Sequence, residues 1–177
     1  MKNFRCFVVF LSVLVAAPAY ANDVTIFGGL QREGKLALRS TVQSGTSTST
    51  YNPKNFGTFG IRIAQGNIIG GEQTIAYSPN FIESQTKAIV FNSNFLIQAP
   101  LPKVKPYVTA GLGGIFTYGN SLLDIGRKFA LNYGGGLKIF PAGPVGARID
   151  ARGYTIPSIQ DQTLNIFEVS VGVVFSF

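Results

Sequence analysis

Seven charged side chains could act together if the fold brings them together: Arg62, Glu72, Lys138, Arg148, Asp150, Arg152 and Glu168. The clearest group lies in Val145–Tyr154, where Gly146, Arg148, Asp150 and Arg152 alternate with Val145, Ala147, Ile149 and Ala151. A strand alternates its side chains with period two, so the polar set shares one face. Four cations and three carboxylates so gathered could form a satisfied ion-pair network, or line a narrow path for ions or protons. They are poorly suited to catalysis. The chain has no histidine, the commonest general base and transition-metal ligand. Carboxylate-only chemistry needs two acids set side by side. Asp150 and Glu168 fall on neighbouring strands but are explained more simply as partners for Arg148 and Arg152. No catalytic residue, cofactor or metal site is expected, and the chain reads as a non-enzyme.

The elements that would position these residues are strands. The pattern predicts eight of them in four hairpins, with no apolar run after residue 21 long enough for a spanning helix. They cover Val24 to at least Gln31, Asn55–Ala64, Gly70–Tyr77, Thr86–Gln98, Lys105–Tyr118, Arg127–Phe140, Val145–Tyr154 and Asn165–Phe177. Short turns follow the second, fourth and sixth strands. Longer polar links follow the others: Gln43–Pro53, Ser78–Gln85, Asn120–Gly126 and Thr155–Leu164. In each strand one face is apolar and the other small, polar or charged. The faces put Arg62, Glu72, Lys138, Arg148, Asp150, Arg152 and Glu168 inside a barrel, with Phe, Tyr, Val, Ile and Leu outside. A lipocalin-like soluble barrel would turn its apolar face inward, and an exposed belt of this size would aggregate in water. Inward glycines leave some room in the interior, and Tyr77, Tyr107, Tyr133, Tyr154 and Phe177 are available for interfacial girdles, with an inward position as the alternative for Tyr107.

The closing strand states the pattern most fully. Phe167, Val169, Val171, Val173, Phe175 and Phe177 share one face, and Glu168, Ser170, Gly172 and Ser176 the other, with Ile166 and Val174 as exceptions. An apolar face of about eleven residues is what a tilted strand needs to cross a bilayer. At the other end, Met1–Ala21 reads as a secretory signal: Lys2 and Arg5, the apolar stretch Phe7–Ala17, then the small-x-small site Ala19-Tyr20-Ala21. Cleavage after Ala21 would leave 22–177 as one barrel domain without cysteine, since Cys6 is the only one. The formal charge of +7 becomes +5 once Lys2 and Arg5 are removed (7 − 2). Basic residues scattered along an exported chain suit acidic lipid headgroups better than nucleic acid.

The ending SVGVVFSF resembles the assembly signal of bacterial outer-membrane barrels, with Ser170, Gly172, Phe175 and Phe177 as its positions. The segments PYVTAGLGG, FALNYGGGLKIF and VGARIDARGY resemble the bacterial outer-membrane beta-barrel domain family, porin-like and of the OmpA and OmpX type. The resemblance is best from Lys105 to Phe177. It implies an all-β, eight-stranded, antiparallel up-and-down barrel in the bacterial outer membrane. It also implies biogenesis through the barrel-assembly machinery and periplasmic chaperones. The expected role is a monomeric structural or surface-interaction barrel with a lumen plugged by the charge network. The alternative is a small passive channel for ions or small solutes.

Overall fold

Alternation of apolar and polar residues along successive hairpins closes a sheet on itself. In the computed structural model the residues described are 22–34, 36–42, 45–51, 54–81, 86–119, 126–159 and 162–177. The strands are β1 (Asp23–Glu33), β2 (Leu36–Val42), β3 (Gly45–Tyr51), β4 (Asn55–Gln65), β5 (Ile69–Ser78), β6 (Thr86–Gln98), β7 (Val104–Gly119), β8 (Arg127–Ala142), β9 (Val145–Ile159) and β10 (Gln162–Ser176). Eight form a closed barrel in the order β1-β10-β9-β8-β7-β6-β5-β4, every pair antiparallel. Closure places β1 against β10, with Asp23 opposite Ser176 and Glu33 opposite Ile166. The expected signal, Met1–Ala21, lies outside the described residues.

Two expectations about the loops need correction. Much of Gln43–Pro53 is strand: β2 and β3 pair in register from Leu36–Tyr51 to Val42–Gly45 as a separate two-stranded sheet. Thr155–Leu164 is likewise mostly strand. β9 runs to Ile159 and β10 starts at Gln162, with a register shift between Gln162 and Leu164. Backbone groups that leave a barrel wall still need partners, and continued pairing supplies them, in Ser/Thr-rich β3 and around the buried Ile156 and Leu164 of β9 and β10. Turn lengths therefore do not alternate at every step. The long link survives between β1 and β4, while β9 and β10 extend past the apolar belt.

Short turns at 66–68, 99–103 and 143–144 lie at the same end as both ends of the barrel wall, where the Phe177 amide donates to the Asn22 carbonyl at 2.9 Å. This is the terminus end, and the opposite one is the loop end. Gly143 takes a positive φ of 74° in the tightest turn, a backbone that L side chains rarely adopt.

The outer wall is a belt of exposed apolar side chains on all eight barrel strands, among them Leu30, Phe59, Ile75, Phe95, Leu112, Phe129, Ile149 and Val171. The interior has two storeys. Toward the loop end it is mostly apolar: Phe56, Phe81, Ala88, Val90, Ile115, Ala130, Ile156, Leu164 and Ile166 form one buried cluster, with Phe27 at its base and buried Glu33 level with Ile166 as a polar exception. The rest is mostly polar and charged, with Leu96, Phe140 and Val174 as buried apolar side chains near the terminus end. The expectation of a polar interior thus holds for only part of its height. Ile166 is one of the two exceptions on the closing strand, and it belongs to this apolar layer.

Candidate functional site

Strand β9 is the spine of the charged storey. It presents Arg148, Asp150 and Arg152 inward in alternate positions, each 1% exposed or less. Asp150 is the hub. Its carboxylate accepts from Arg62 NH1 (2.9 Å), Arg148 Nε (3.0 Å) and Arg152 NH2 (2.9 Å), and from the Tyr107 hydroxyl. Glu72, reaching in from β5, accepts from Arg148 NH2 (2.5 Å) and Arg152 NH2 (2.7 Å), so it bridges the same two arginines from the far wall. Glu168 on β10 accepts from Arg62 NH2 (2.6 Å), Gln31 Nε2 (2.6 Å) and the Tyr154 hydroxyl (3.1 Å). The Arg62 guanidinium stacks 3.5 Å over the Phe27 ring, which joins the charged storey to the apolar one. Charge-assisted bonds of this geometry are short and strong, and the many partners offset the cost of taking the ions out of water.

Lys138 stands apart from that cluster, nearer the terminus end. Its ammonium donates to Asp23 Oδ2 (2.7 Å) and Gln98 Oε1 (2.9 Å), and Gln98 in turn donates to the Gly66 and Asn67 carbonyls of the first short turn. Asp23 lies one residue before Val24, where the apolar pattern starts the first strand. Period two from Thr25 and Phe27 places Asp23 inward. With it the network balances, four cations (Arg62, Lys138, Arg148, Arg152) against four carboxylates (Asp23, Glu72, Asp150, Glu168).

The seven charged residues singled out from sequence are all buried inside the barrel, and six of them form one cluster, with Lys138 below it. Their pairing differs from the simplest reading. Glu168 lies opposite Arg152 in the β9–β10 register, yet its ion pair is with Arg62. Asp150 serves Arg148 and Arg152 as expected, and Arg62 in addition. Tyr107 takes the inward alternative and Tyr154 leaves the list of girdle residues, since both are buried with their hydroxyls in the network. Tyr154 follows Arg152 by two positions, so its inward direction was implicit in the β9 period. Tyr77 and Tyr133 do sit on the outer wall.

The inward glycines leave no vacant space. A Cβ at Gly113 would lie 2.0 Å from Asn92 Oδ1, and one at Gly136 would lie 2.5 Å from the Tyr107 hydroxyl oxygen. These glycines form recesses in the β7 and β8 wall that large polar side chains occupy. An eight-stranded barrel has an interior just wide enough for side chains to fill, and here they fill it. Of the closing-strand residues, Ser170 is buried and donates to Glu168 Oε1 at 3.1 Å, whereas Phe175 and Phe177 face outward. Gly172 lies across from Phe27, and a Cβ there would meet the Ile26 carbonyl at 2.5 Å. No group of three or more potential metal ligands occurs among the described residues.

A family model described as the outer membrane protein beta-barrel domain matches residues 7–177. Comparison with curated proteins finds no match. Among solved structures, the chain is similar to Neisserial surface protein A, at 14% identity and a TM-score of 0.65 over 88% of this chain and 96% of that one. It is also similar to the outer membrane protein OprG from Pseudomonas aeruginosa, at 9% identity and a TM-score of 0.58 over 89% and 97%. The outer membrane enzyme PagL matches at 14% identity and a TM-score of 0.49 over 88% and 99%. At these identities the likeness is one of fold.

Proposed function

The chain belongs to the outer membrane protein beta-barrel domain family, and from that membership we propose that it acts as a closed barrel scaffold and not as a pore. Its place is the bacterial outer membrane, with the apolar belt against lipid. The terminus end then faces the periplasm and the loop end the exterior. The reading is carried by one observation: Arg62, Arg148 and Arg152 span the interior with almost no exposure, beneath an apolar layer that includes Phe81, Ile115, Ile156 and Leu164. A water-filled path needs a continuous polar lining, and the apolar layer interrupts it. The test is single-channel recording on the folded protein in a planar bilayer. No discrete openings are expected. Steady unitary currents from a barrel of verified fold would replace this reading with the passive channel.

A scaffold of this kind presents function on its loops. The β2–β3 hairpin, Leu36–Tyr51, inserted between β1 and β4, is the largest element available for contact with a surface partner. Catalysis is not decided by fold. Its absence is proposed because the chain has no histidine and its central carboxylates are engaged by arginines. The same reading has a monomer working alone in lipid.

For biogenesis, the segment containing Ser170, Gly172, Phe175 and Phe177 is proposed as the part read by the barrel-assembly machinery, after escort by periplasmic chaperones. Phe177 is 82% exposed, so its ring contributes little to the folded wall. Deleting Phe177 is expected to slow insertion several-fold and leave unfolded chain in the periplasm, while stability once folded changes little. Pulse-labelled cells followed by the mobility of unboiled samples would measure both. Unaltered insertion kinetics would remove the role from Phe177.

A further inference from the structure

The apolar belt is interrupted between β5 and β6. On the outer wall Gln73 stands directly across from Ser93, and the Gln73 amide donates to the Ser93 hydroxyl at 2.8 Å. Both side chains are half-buried. Their outer-wall neighbours are all apolar. Ile63 and Leu112 stand across from the pair on β4 and β7, Gly71 and Ile75 flank Gln73, and Phe91 and Phe95 flank Ser93. Further toward the terminus end Ile69 and Ile97 are again exposed, so the pair lies within the belt and not at its edge. Hydrocarbon offers neither donor nor acceptor, and an unpaired polar group there is costly. The pair answers this demand once. The Gln73 carbonyl oxygen, its second N–H and the Ser93 hydroxyl hydrogen keep hydrogen-bonding capacity toward the lipid side.

The same pair ends a groove. About 640 Å³ of the outer wall across β1, β4, β5 and β6 is concave, lined by Ile26, Phe59, Ile61, Ile75 and Phe91, with Gln73 nearest the terminus end. Toward the loop end Tyr77 closes it, where the Phe59 and Tyr77 rings meet edge to face at 5.4 Å. The strand run from Gln73 to Tyr77 is roughly 13 Å, from the rise per residue of a strand. A cleft that is mostly apolar, with a few polar groups that fix orientation, is the general form of a small-molecule site.

We propose that this groove binds a neutral amphiphile dissolved in the membrane: a medium-length apolar chain ending in a hydroxyl or carboxamide. The polar end lies on Gln73 and Ser93, and the chain runs over Ile75 toward Tyr77. Hydrogen-bond chemistry selects the occupant. An amide and a hydroxyl both give and take protons, and a hydroxyl or carboxamide matches them in both senses. With no charge on the six neighbouring residues, a phosphate or carboxylate at this depth would be buried unpaired. The acyl chains of the bilayer fit the groove but have no polar group to offer Gln73. Such a ligand arrives from within the bilayer, so the filled lumen is no obstacle to it. The proposal rests on the membrane placement given above.

The test is solution NMR of the folded protein in detergent micelles, titrated with decanol, decane and decyl phosphate. Decanol should give a saturable shift of the Gln73 side-chain amide and of the Phe59 and Phe91 ring protons. The Ile149 methyls, on β9 at the far wall, should not move. Decane should move the rings alone and bind roughly tenfold more weakly, as expected for lost hydrogen bonds. Decyl phosphate should bind no better than decane. I75W fills the groove but keeps both polar residues, and it should abolish the decanol response. S93A keeps the Gln73 signal and should weaken decanol several-fold without changing decane. Equal affinity for decanol and decane would overturn the site, as would an undiminished response in I75W or in S93A. Tighter binding of decyl phosphate, or equal movement of Ile149, would overturn it too. Insertion into phosphatidylcholine vesicles is read separately. Failed insertion sinks the membrane placement, whereas a failed titration with insertion intact sinks the groove alone.

Discussion

Arg148→Ala is expected to destabilise the folded barrel by about 3–5 kcal/mol, the usual cost of removing one partner from a buried ion pair. Arg148 has no exposure, and it donates to Glu72, Asp150, Tyr107 and Thr25 from three sides of its guanidinium. Its loss leaves Glu72 paired with Arg152 alone and removes the guanidinium that donates to the Tyr107 hydroxyl. Asp150 keeps Arg62 and Arg152, so the damage concentrates on the β5 side of the interior. Lys54→Ala is the matching surface change. Its side chain is exposed at the loop end and its amide donates to Glu33 Oε1 at 3.2 Å, a bond that alanine keeps, so substitution there should stay within about 1 kcal/mol. Urea titration of both variants in lipid vesicles, read by tryptic protection, would compare them. Equal stability of the two would mean that Arg148 is not part of a cooperative network.

Gly136→Val should be more damaging than its size suggests. A Cβ at this position would lie 2.1 Å from the Ile149 carbonyl oxygen and 2.5 Å from the Tyr107 hydroxyl oxygen. The first belongs to the facing strand of the wall. The second is held by Arg148 and Asp150. Neither can retreat without breaking a ladder or the network, so the cost should exceed the roughly 1–3 kcal/mol typical of overpacking. Failure to give the compact, heat-modifiable form on an unboiled gel is the expected result. Gly28→Val supplies the contrast. Nothing lies within 4 Å of a Cβ there, so valine should fold normally and gain strand propensity. Normal folding of Gly136→Val would show that Tyr107 does not need that recess.

The sequence made the barrel legible because period two is local: each face can be read from one strand without knowing its neighbour. The same locality explains which residues were assigned inward. Arg62, Glu72 and Arg148 sit in unbroken alternations, so burial follows from position. Pairing is not local. Which carboxylate meets Arg62 depends on register and on reach across the interior, and neither β4 nor β10 alone contains that information. Asp23 escaped because the first strand began one residue earlier than the apolar pattern announced. The β2–β3 hairpin and the extension of β9 escaped for another reason. Ser/Thr-rich β3 carries no hydrophobic period, and its pairing answers backbone demand, whereas in the β9 extension Ile156 turns inward, against the outward apolar pattern. The apolar storey of the interior was half visible, since Ile166 broke the alternation, but its meaning required Phe56, Phe81, Ile115 and Leu164 to be seen converging from other strands.

The buried bridges also bear on how the wall closes. Lys138 reaches Asp23 across 115 positions of sequence, and Arg62 reaches Glu168 across 106. Contacts so distant form only after the loops between them have been closed, which places them late on a folding route. Until the first and last strands meet, Asp23 and Glu168 have water, not Lys138 and Arg62, as partners. A half-built barrel is therefore a hydrated object, and drying of its interior coincides with the seam between β1 and β10. A seam slipped by two residues would keep every side chain on its proper face yet move Asp23 or Glu168 away from its cation. The ions thus act as a check on alignment that the greasy exterior, indifferent to such a slip, cannot provide.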